Sequence, residues 1–413
     1  MRVADLKGMA YLRRKLENKR SRVLLRYRYY EMKNAVQDFQ MVTPPEFRCF
    51  NEVLGWCGKA VDSLGDRLSF REFSNDNFDL NRIYQLNNAD VLFDSAVLSA
   101  LISSCCFIYI SPDGDGFPRL QVIDGGNATG VADPITGLLK EGYAVLGRSD
   151  SGSPTLEAYF TPTETWYYPR GAAPYRVENP APYPLLVPIV YRPDAVRPFG
   201  HSRISRACMG IMQGALRTLK RSEISAEFYS FPQKYVLGMD PEAEELDKWK
   251  ATISTLLNIS KDEDGDVPKV GQFTQVSMSP FTEQLRTFAA LFSGETGLTL
   301  DDLGFVTDNP SSAEAIKASH EYLRLAARKA QRTFGVGFLN AGYLAACLRD
   351  QYPYTRSQMY LTKPQWEPVF EPDAAMLSGI GDAVGKINGA IPGYFGPGNL
   401  HSLTGIAADT SGR

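Results

Sequence analysis

The chain has 413 residues, of which 44% are hydrophobic and 22% are charged, and its formal net charge is −3. This length exceeds one ordinary hydrophobic core, so we expect two or more domains, and the composition excludes a disordered chain. The small net charge argues against a protein that clamps nucleic acid over its whole surface. No run of about 18 apolar residues predicts a membrane span, and the charged N-terminal stretch does not have the apolar centre of a secretory signal.

The N-terminal part of the chain is predicted to be helical. Residues 3–35, 46–66 and 88–103 carry apolar side chains at helical spacing. The first of these helices is strongly basic, because residues 1–33 hold eleven Lys or Arg against three acidic residues, a net charge of +8. Charge runs on helices usually face solvent, which is the interpretation we favour. The alternative is that this stretch contacts DNA or an acidic neighbour.

The residue pattern of the sequence changes between residues 105 and 191. Short β-rich runs alternate there with turn clusters such as Asp113–Gly116, a pattern that predicts a small antiparallel barrel or sandwich. The predicted strands are Phe107–Ile110, Leu120–Ile123, Tyr143–Leu146, Thr155–Phe160 and Thr165–Tyr168. Asp113–Gly116 does not continue into the acid series of a calcium loop, so we interpret it as a hairpin turn.

The next part of the chain is predicted to begin with a long helix, residues 202–230. A short strand at Lys234–Leu237, a helix at 241–257 and a helix at 281–292 follow it. The most acidic stretch of the chain, residues 240–267, includes the predicted helix at 241–257, and its nine acids and three lysines give a net charge of −6.

A loop followed by a very long helix is the most informative pattern in the sequence. Gly, Asp, Asn and Pro are dense from Gly294 to Pro310, which breaks any helix. Ser311 then lies three residues before Glu314, the spacing of a capping box. Apolar residues recur at helical spacing as far as residue 349, which predicts a helix of up to about 37 residues, or roughly 55 Å. A strand at 358–362, a helix at 372–388 and a Gly/Pro-rich tail complete the chain.

This loop and helix resemble the tunnel loop and the helix after it in tailed-phage portal proteins, through Leu303-Gly304 and Asn309–Ile316. Other phrases occur in the family's order across about 300 residues. Asn51–Phe70 resembles the N-terminal wing helix, and Tyr29-Tyr30 resembles the end of the first helix, although Glu31 replaces the usual glycine. The segments Val187–Pro193, Phe199–Ile204 and Glu227–Gly238 resemble the entry to and the exit from the first stem helix.

The resemblance implies an α+β portal fold, with a helical wing, a small antiparallel β insert, two stem helices, an α/β clip, a long kinked helix and a short helical crown. The implied segments are a wing at 1–198 with its β-rich insert at 104–192, a first stem helix at 199–230, a clip at 231–278, a second stem helix at 279–296, a tunnel loop at 297–311, the long helix at 312–349, and a wing edge, short crown and tail at 350–413.

The function that the resemblance implies is a homo-oligomeric ring, a dodecamer in the family, at one capsid vertex of the virion. The ring would form the channel for double-stranded DNA packaging and ejection, and it would be assembled in the host cytoplasm. Its implied partners are the terminase large subunit, a head-completion or neck adaptor protein, and the major capsid and scaffolding proteins. The resemblance implies no enzyme activity, cofactor, metal or membrane.

Three groups of residues become candidate sites. An acidic channel lining repels a sliding polyanion weakly, whereas fixed cations would bind its phosphates tightly. The candidate channel residues are Asp301, Asp302, Gly304, Phe305 and Asp308. The candidate partner-docking residues of the clip are Asp240, Glu242, Glu244, Glu245 and Asp247. The candidate subunit interface of the stem consists of Ile204, Ile211, Ala215 and Leu219, an apolar stripe on one helix.

Two alternatives from other classes are an intracellular α+β hydrolase and a minor head protein that is not a portal. The three histidines, His201, His320 and His401, lie in unrelated contexts, and neither a Gly-x-Ser-x-Gly elbow nor a P-loop occurs. The six cysteines have no metal-ligand spacing, which predicts reduced, buried thiols in a cytoplasmic setting.

Overall fold

The computed structural model of the protein describes residues 6–37, 52–112, 116–230, 234–237, 269–272, 277–305, 320–370, 372 and 374–406. Helices and small antiparallel sheets make up this part of the chain, which confirms the predicted α+β class. Its helices are α1 (Met9–Tyr30), α2 (Trp56–Gly65), α3 (Leu80–Gln85), α4 (Ala89–Ser103), α5 (Arg206–Ser230), α6 (Ser279–Thr296), α7 (Glu321–Arg349), α8 (Ala374–Ala390) and α9 (Pro397–Thr404).

The β insert consists of two antiparallel sheets rather than one closed barrel. The strands of the described chain are β1 (Phe70–Ser74), β2 (Cys105–Pro112), β3 (Pro118–Ile123), β4 (Ala128–Ala132), β5 (Leu139–Arg148), β6 (Pro154–Phe160), β7 (Glu164–Pro169), β8 (Tyr175–Glu178), β9 (Leu186–Val190), β10 (Lys234–Leu237), β11 (Lys269–Gln272) and β12 (Lys363–Trp366), of which β2 to β9 form the insert. One sheet has the order β3-β2-β9, and the other runs β4-β5-β6-β7-β8. A hydrogen bond of 2.7 Å between the Tyr109 and Tyr167 hydroxyls joins them.

An aromatic cluster forms the centre of the helical part. Phe93 of α4 lies 4.1 Å from Phe70 of β1 and 4.6 Å from Phe338 of α7, measured between ring centroids. Trp366 of β12 closes the cluster, 5.2 Å from Phe70. Removing one such buried ring typically costs about 3–5 kcal/mol, so this cluster holds β1, α4, α7 and β12 together.

Helix α1 begins without a side-chain cap of its own. The buried carboxylate of Glu141 in β5 instead accepts hydrogen bonds from the backbone N–H groups of Lys7 and Gly8, at 2.9 and 3.0 Å. A carboxylate there satisfies N–H groups that a helix start leaves unpaired. This contact explains why the described helix begins at Met9, later than the predicted residue 3.

The long helix α7 is uninterrupted from Glu321 to Arg349, and residues 306–319, with the predicted capping box, lie outside the described residues. Its first half alternates exposed and buried positions, whereas nearly every residue from Phe334 to Leu348 is buried. Its C-terminal half therefore belongs to the core of the molecule.

The predicted strand at 358–362 is wrong. Residues Arg356–Met359 form a 3₁₀ turn whose capping box is made by Thr355 and Gln358. The strand comes later, at Lys363–Trp366, where it pairs antiparallel with β1. Local turn chemistry at Thr355 overrides the β-rich composition, and the partner strand almost 300 residues earlier decides where pairing begins.

Candidate functional site

Helices α5 and α6 pack closely against each other. A Cβ atom on Gly214 of α5 would lie 2.6 Å from the ring of Phe288 in α6, so the ring fits only because residue 214 has no side chain. The Thr218 hydroxyl lies 3.0 Å from Gln284 Oε1 and donates to it, and Ser205 donates to Glu295 Oε1 at 2.7 Å. These contacts along the pair fix its register.

The apolar stripe predicted for a subunit interface divides into two groups. Ile204 and Ala215 are fully buried inside the chain, so in this conformation they contribute to the core and present no surface to a second subunit. Ile211 is half-buried against the core, and Leu219 is also half-buried. A contact between copies of this chain is therefore available only to Ile211 and Leu219 of the four residues.

Arg203, next to the start of α5, is a buried anchor that no local sequence pattern indicates. Its guanidinium donates to the Ala60 carbonyl at 3.1 Å and to the Thr296 carbonyl at 2.5 Å. It thereby joins α2, the entry to α5 and the end of α6. Its partners lie 143 and 93 residues away in the sequence, which is why neither spacing nor composition could point to it.

The acidic loop after α6 is anchored at both ends of its described part. Gly297 ends α6 with a φ of 71°, and Gly304 has a φ of 91°, conformations that favour glycine. Leu298 and Leu303 are buried, and Phe305 packs against the core. The loop over residues 297–305 is therefore a fixed turn.

The two acids of this turn have different roles. Asp302 Oδ2 accepts hydrogen bonds from the backbone N–H and the hydroxyl of Thr299, both at 2.9 Å, and lies 3.9 Å from His320 Nδ1. Asp301 is exposed, and only its backbone takes part in the turn. Asp301 is thus available to a passing ligand, whereas Asp302 stabilises the turn. Asp308 lies outside the described residues.

Within the predicted clip, residues 231–278, the structure describes two strands and residues 277–278. Lys234 pairs with Gln272 and Leu237 with Lys269, which makes β10 and β11 an antiparallel ribbon. The five candidate docking acids, from Asp240 to Asp247, lie outside the described residues.

The described residues give little support to a hydrolytic site. Each histidine faces a different carboxylate: His201 faces Asp194, His320 faces Asp302 and His401 faces Glu367. Within the described ranges, no histidine ring is hydrogen-bonded to a serine or cysteine, and no group of three or more His, Cys, Asp and Glu could hold a metal. Nor is any helix described in the structure long and apolar enough to cross a membrane.

The cysteines do not supply an activated nucleophile in the described part of the chain. All five cysteines of that part are buried, and none forms a disulfide: Cys57, Cys105, Cys106, Cys208 and Cys347. Cys49 lies outside the described residues. Burial raises the pKa of the Cys57, Cys106 and Cys208 thiols, and it raises the pKa of Cys347 to about 11. The reactive thiolate is therefore rare at neutral pH.

No family model matches the chain. The portal protein of Mycobacterium phage D29 is 25% identical to it over 340 residues, which cover 77% of this chain and 69% of that protein. The portal protein of Mycobacterium phage L5 is 24% identical over 330 residues, 74% of this chain and 67% of that protein. Among solved structures, a chain from the neck of a native gene transfer agent particle computed with C12 symmetry aligns with a TM-score of 0.44 and 14% identity, covering 86% of this chain and 92% of that one.

Proposed function

This chain belongs to the tailed-phage portal protein family, and on that premise we propose that it forms a homo-oligomeric ring, a dodecamer, through which double-stranded DNA is packaged and ejected. The observation that carries the proposal is the sequence similarity to two portal proteins, at 25% and 24% identity, along three quarters of the chain. In the virion the ring occupies one capsid vertex, and it is assembled in the host cytoplasm. The chain has no catalytic role in this proposal.

The surface of the helical elements supports association between copies. Large apolar side chains are exposed on α6 and α7: Leu291 is 55% exposed, Tyr322 is 53% exposed and Leu325 is 47% exposed. Leu219 on α5 adds a half-buried apolar position. A heterologous ring contact uses two different faces of each subunit, and these side chains supply apolar area on three helices.

The acidic turn is proposed to line the channel. Asp301 is exposed, and its backbone is held by the turn, so each subunit would present one carboxylate at a fixed position. About twelve such carboxylates repel the phosphate backbone weakly and bind none of it, which lets DNA slide. Gly304 and Phe305 fix the turn, and Asp302 keeps it folded. Asp308 remains a candidate for the same lining.

The partners follow from the same proposal. The acidic segment that includes Asp240, Glu242, Glu244, Glu245 and Asp247 is proposed to dock the terminase large subunit during packaging and a head-completion or neck adaptor protein afterwards. The major capsid and scaffolding proteins are proposed to contact the wing.

Native mass spectrometry of the purified chain tests this function most directly. A ring of about twelve subunits with a central opening in negative-stain images is the expected result. A monomer or dimer at micromolar concentration, with hydrolytic activity on a model ester, would favour the hydrolase. A ring that does not support DNA packaging in a terminase-dependent assay would instead favour a minor head protein.

A further inference from the structure

Helix α1 presents a row of cations to a cavity of about 330 Å³. Lys15, Lys19, Arg22 and Arg26 all line this cavity. Their spacing of four, three and four residues places them on one face across three turns of the helix. The basic stretch of the sequence therefore does not lie wholly in solvent, because four of its charges are gathered around one open pocket.

The other walls of the cavity come from three segments: residues 103–105 where α4 meets β2, Thr129 of β4, and residues 197–200 before α5. Arg197 adds a fifth cation. Phe199 lies near both ammonium groups, with its ring centroid 5.0 Å from Lys15 Nζ and 5.9 Å from Lys19 Nζ, and the ring of Phe107 lies 5.3 Å from Lys19 Nζ. The ring face attracts both cations and so holds them at the cavity.

No acidic residue lines this cavity, and no carboxylate of the described residues lies within salt-bridge distance of any of its five cations. The nearest carboxylates have other partners. Glu141 accepts from the start of α1, and Asp124 accepts from Gly126 N and Asn127 Nδ2. Both carboxylates act on the cavity cations only from beyond salt-bridge distance, so within the described part of the chain no ion pair neutralises them.

Several polar groups of the cavity also have vacant hydrogen-bonding capacity. Lys15 donates to the Gly130 carbonyl and Arg26 to the Ser103 carbonyl, but no described residue accepts a hydrogen bond from Lys19 or Arg22. Thr129 lines the cavity and is 1% exposed, and its hydroxyl has no partner among the described residues. A buried hydroxyl without a partner is rare and costly unless a ligand satisfies it.

The ionisation of the cavity points in the same direction. Burial lowers the pKa of Lys15, Lys19 and Arg26, and neighbouring cations lower the pKa of each further, while the charges of Glu141 and Asp124 oppose the shift at Lys15 and Lys19. An anion placed among them would oppose this shift, because its opposite charge within hydrogen-bond reach favours the charged form of each cation.

We infer that this cavity is a binding site for a phosphate group, held by Lys19, Arg22 and the Thr129 hydroxyl with Lys15, Arg26 and Arg197 around it. Phosphate suits the site because several cations and one hydroxyl converge without any acid, and because guanidinium groups match its oxygens in paired hydrogen bonds. The cavity has room for one phosphate group and its ester substituents. The group could be supplied by free phosphate or by the backbone of DNA. The inference rests on the cavity alone and does not require the ring.

The test uses the full-length chain and inorganic phosphate as the probe, at constant ionic strength adjusted with sodium chloride. We expect calorimetric titration to show saturable binding by the wild-type protein. Lys19→Gln and Arg22→Gln should each weaken it by at least about tenfold, since each removes a charged hydrogen bond. Arg14→Gln is the matched control. It removes the same charge from an exposed position on the same helix, and Arg14 does not line the cavity. It should stay within about twofold of wild type.

A second arm with a short DNA duplex identifies the source of the phosphate. Duplex binding that is competed by phosphate and weaker in Lys19→Gln than in Arg14→Gln assigns the site to the DNA backbone. Equal duplex binding by the two variants, with phosphate binding lost only in Lys19→Gln, assigns it to free phosphate.

Either of two results overturns the inference. One is the absence of saturable phosphate binding by the folded wild-type protein together with equal duplex binding by the two variants. The other is an equal loss in Arg14→Gln and Lys19→Gln, which would mean that diffuse helix charge is responsible. Circular dichroism checks that each variant folds, and Arg22→Gln, at an exposed position, serves if Lys19→Gln does not. Native mass recorded on the same samples separates failure of the site from failure of ring assembly.

Discussion

Gly297 and Tyr322 hold the acidic turn against the start of the long helix: a Cβ atom at position 297 would lie 1.9 Å from Tyr322 Cδ1. The same glycine has a φ of 71°, which side chains rarely adopt. Both the close approach and the backbone conformation therefore require a glycine at the junction of α6 and the turn.

Gly297→Ala should destabilise the protein by about 1–3 kcal/mol, because it combines a left-handed conformation with a clash. Gly294→Ala is the control, since Gly294 lies inside α6 with no atom within 4 Å of an added Cβ. That change should be neutral or stabilising by up to about 1 kcal/mol. Thermal unfolding of both variants checks this. An unchanged melting temperature for Gly297→Ala would mean that the turn does not approach Tyr322.

Arg203→Met should also be destabilising, because it leaves the carbonyls of Ala60 and Thr296 buried without their donor. Each unsatisfied group costs about 1–3 kcal/mol. Arg206→Met, three residues later and exposed, removes the same charge and should change the melting temperature little. Similar melting temperatures for the two variants would contradict the anchoring role of Arg203.

Two aspartate substitutions on α5 should separate folding from assembly. Ala215 is fully buried, so Ala215→Asp places a charge in the core and should prevent the subunit from folding, at a cost of several kcal/mol. Leu219 is only half-buried, so Leu219→Asp should leave the circular dichroism spectrum intact and block ring closure. Native mass spectrometry distinguishes the two outcomes. Normal rings from Leu219→Asp would remove this face of α5 from the proposed interface, and Ile211→Asp extends the test to the neighbouring half-buried position.

Asp301→Lys should slow DNA packaging without affecting assembly. The exposed side chain tolerates the change. The charge of each subunit in the ring becomes about two units more positive, and the added lysine binds phosphate. Asp301→Asn, which removes the acid without adding a cation, should have a smaller effect. Asp302→Lys is not equivalent, because it breaks the hydrogen bonds to Thr299 and should loosen the turn itself. Full-rate filling by Asp301→Lys rings at low salt would place the turn away from DNA.

Alkylation should report the burial of the cysteines. At pH 8 the native chain is expected to accept at most one iodoacetamide label, at Cys49, because burial raises the pKa of the Cys57, Cys106, Cys208 and Cys347 thiols and Cys105 is buried as well. A raised pKa lowers the thiolate fraction at every pH below it, so labelling should increase as the pH approaches about 11 for Cys347. Denatured chain should accept six labels, one for each cysteine. Intact-mass spectrometry counts them, and rapid labelling of several native thiols would contradict their burial.

The sequence predicted features that depend on local chemistry. The helix ending near residue 103 is marked by continuous apolar residues, and the turn after Thr296 is marked by Gly297 and Gly304. Features set by distant contacts were not predictable in the same way. Strand β9 contains Pro188, and proline argues against a central strand. The strand is compatible with this proline because it lies at the edge of its sheet, beside β2, a position that only the three-dimensional pairing reveals.

The candidate site shows the same division. Clustered acids drew attention to Asp301 and Asp302 together, but only the three-dimensional turn separates the exposed carboxylate from the one bound to Thr299. Helical periodicity selected Ile204 and Ala215 correctly as apolar positions, but it cannot distinguish a surface within one subunit from a surface between two subunits. Both are apolar stripes of the same period.

The uneven burial of α7 determines how its backbone amides become exposed to solvent. Amide protons between Glu321 and Gln331 belong to turns with one exposed face, whereas those from Phe338 to Leu348 are enclosed on every side. In a hydrogen-exchange experiment the first group should exchange through local fraying, and the second only when the whole subunit unfolds. This one helix would then report both the local stability beside the turn and the global stability of the subunit, and a ligand held at the turn would slow exchange in the first group alone.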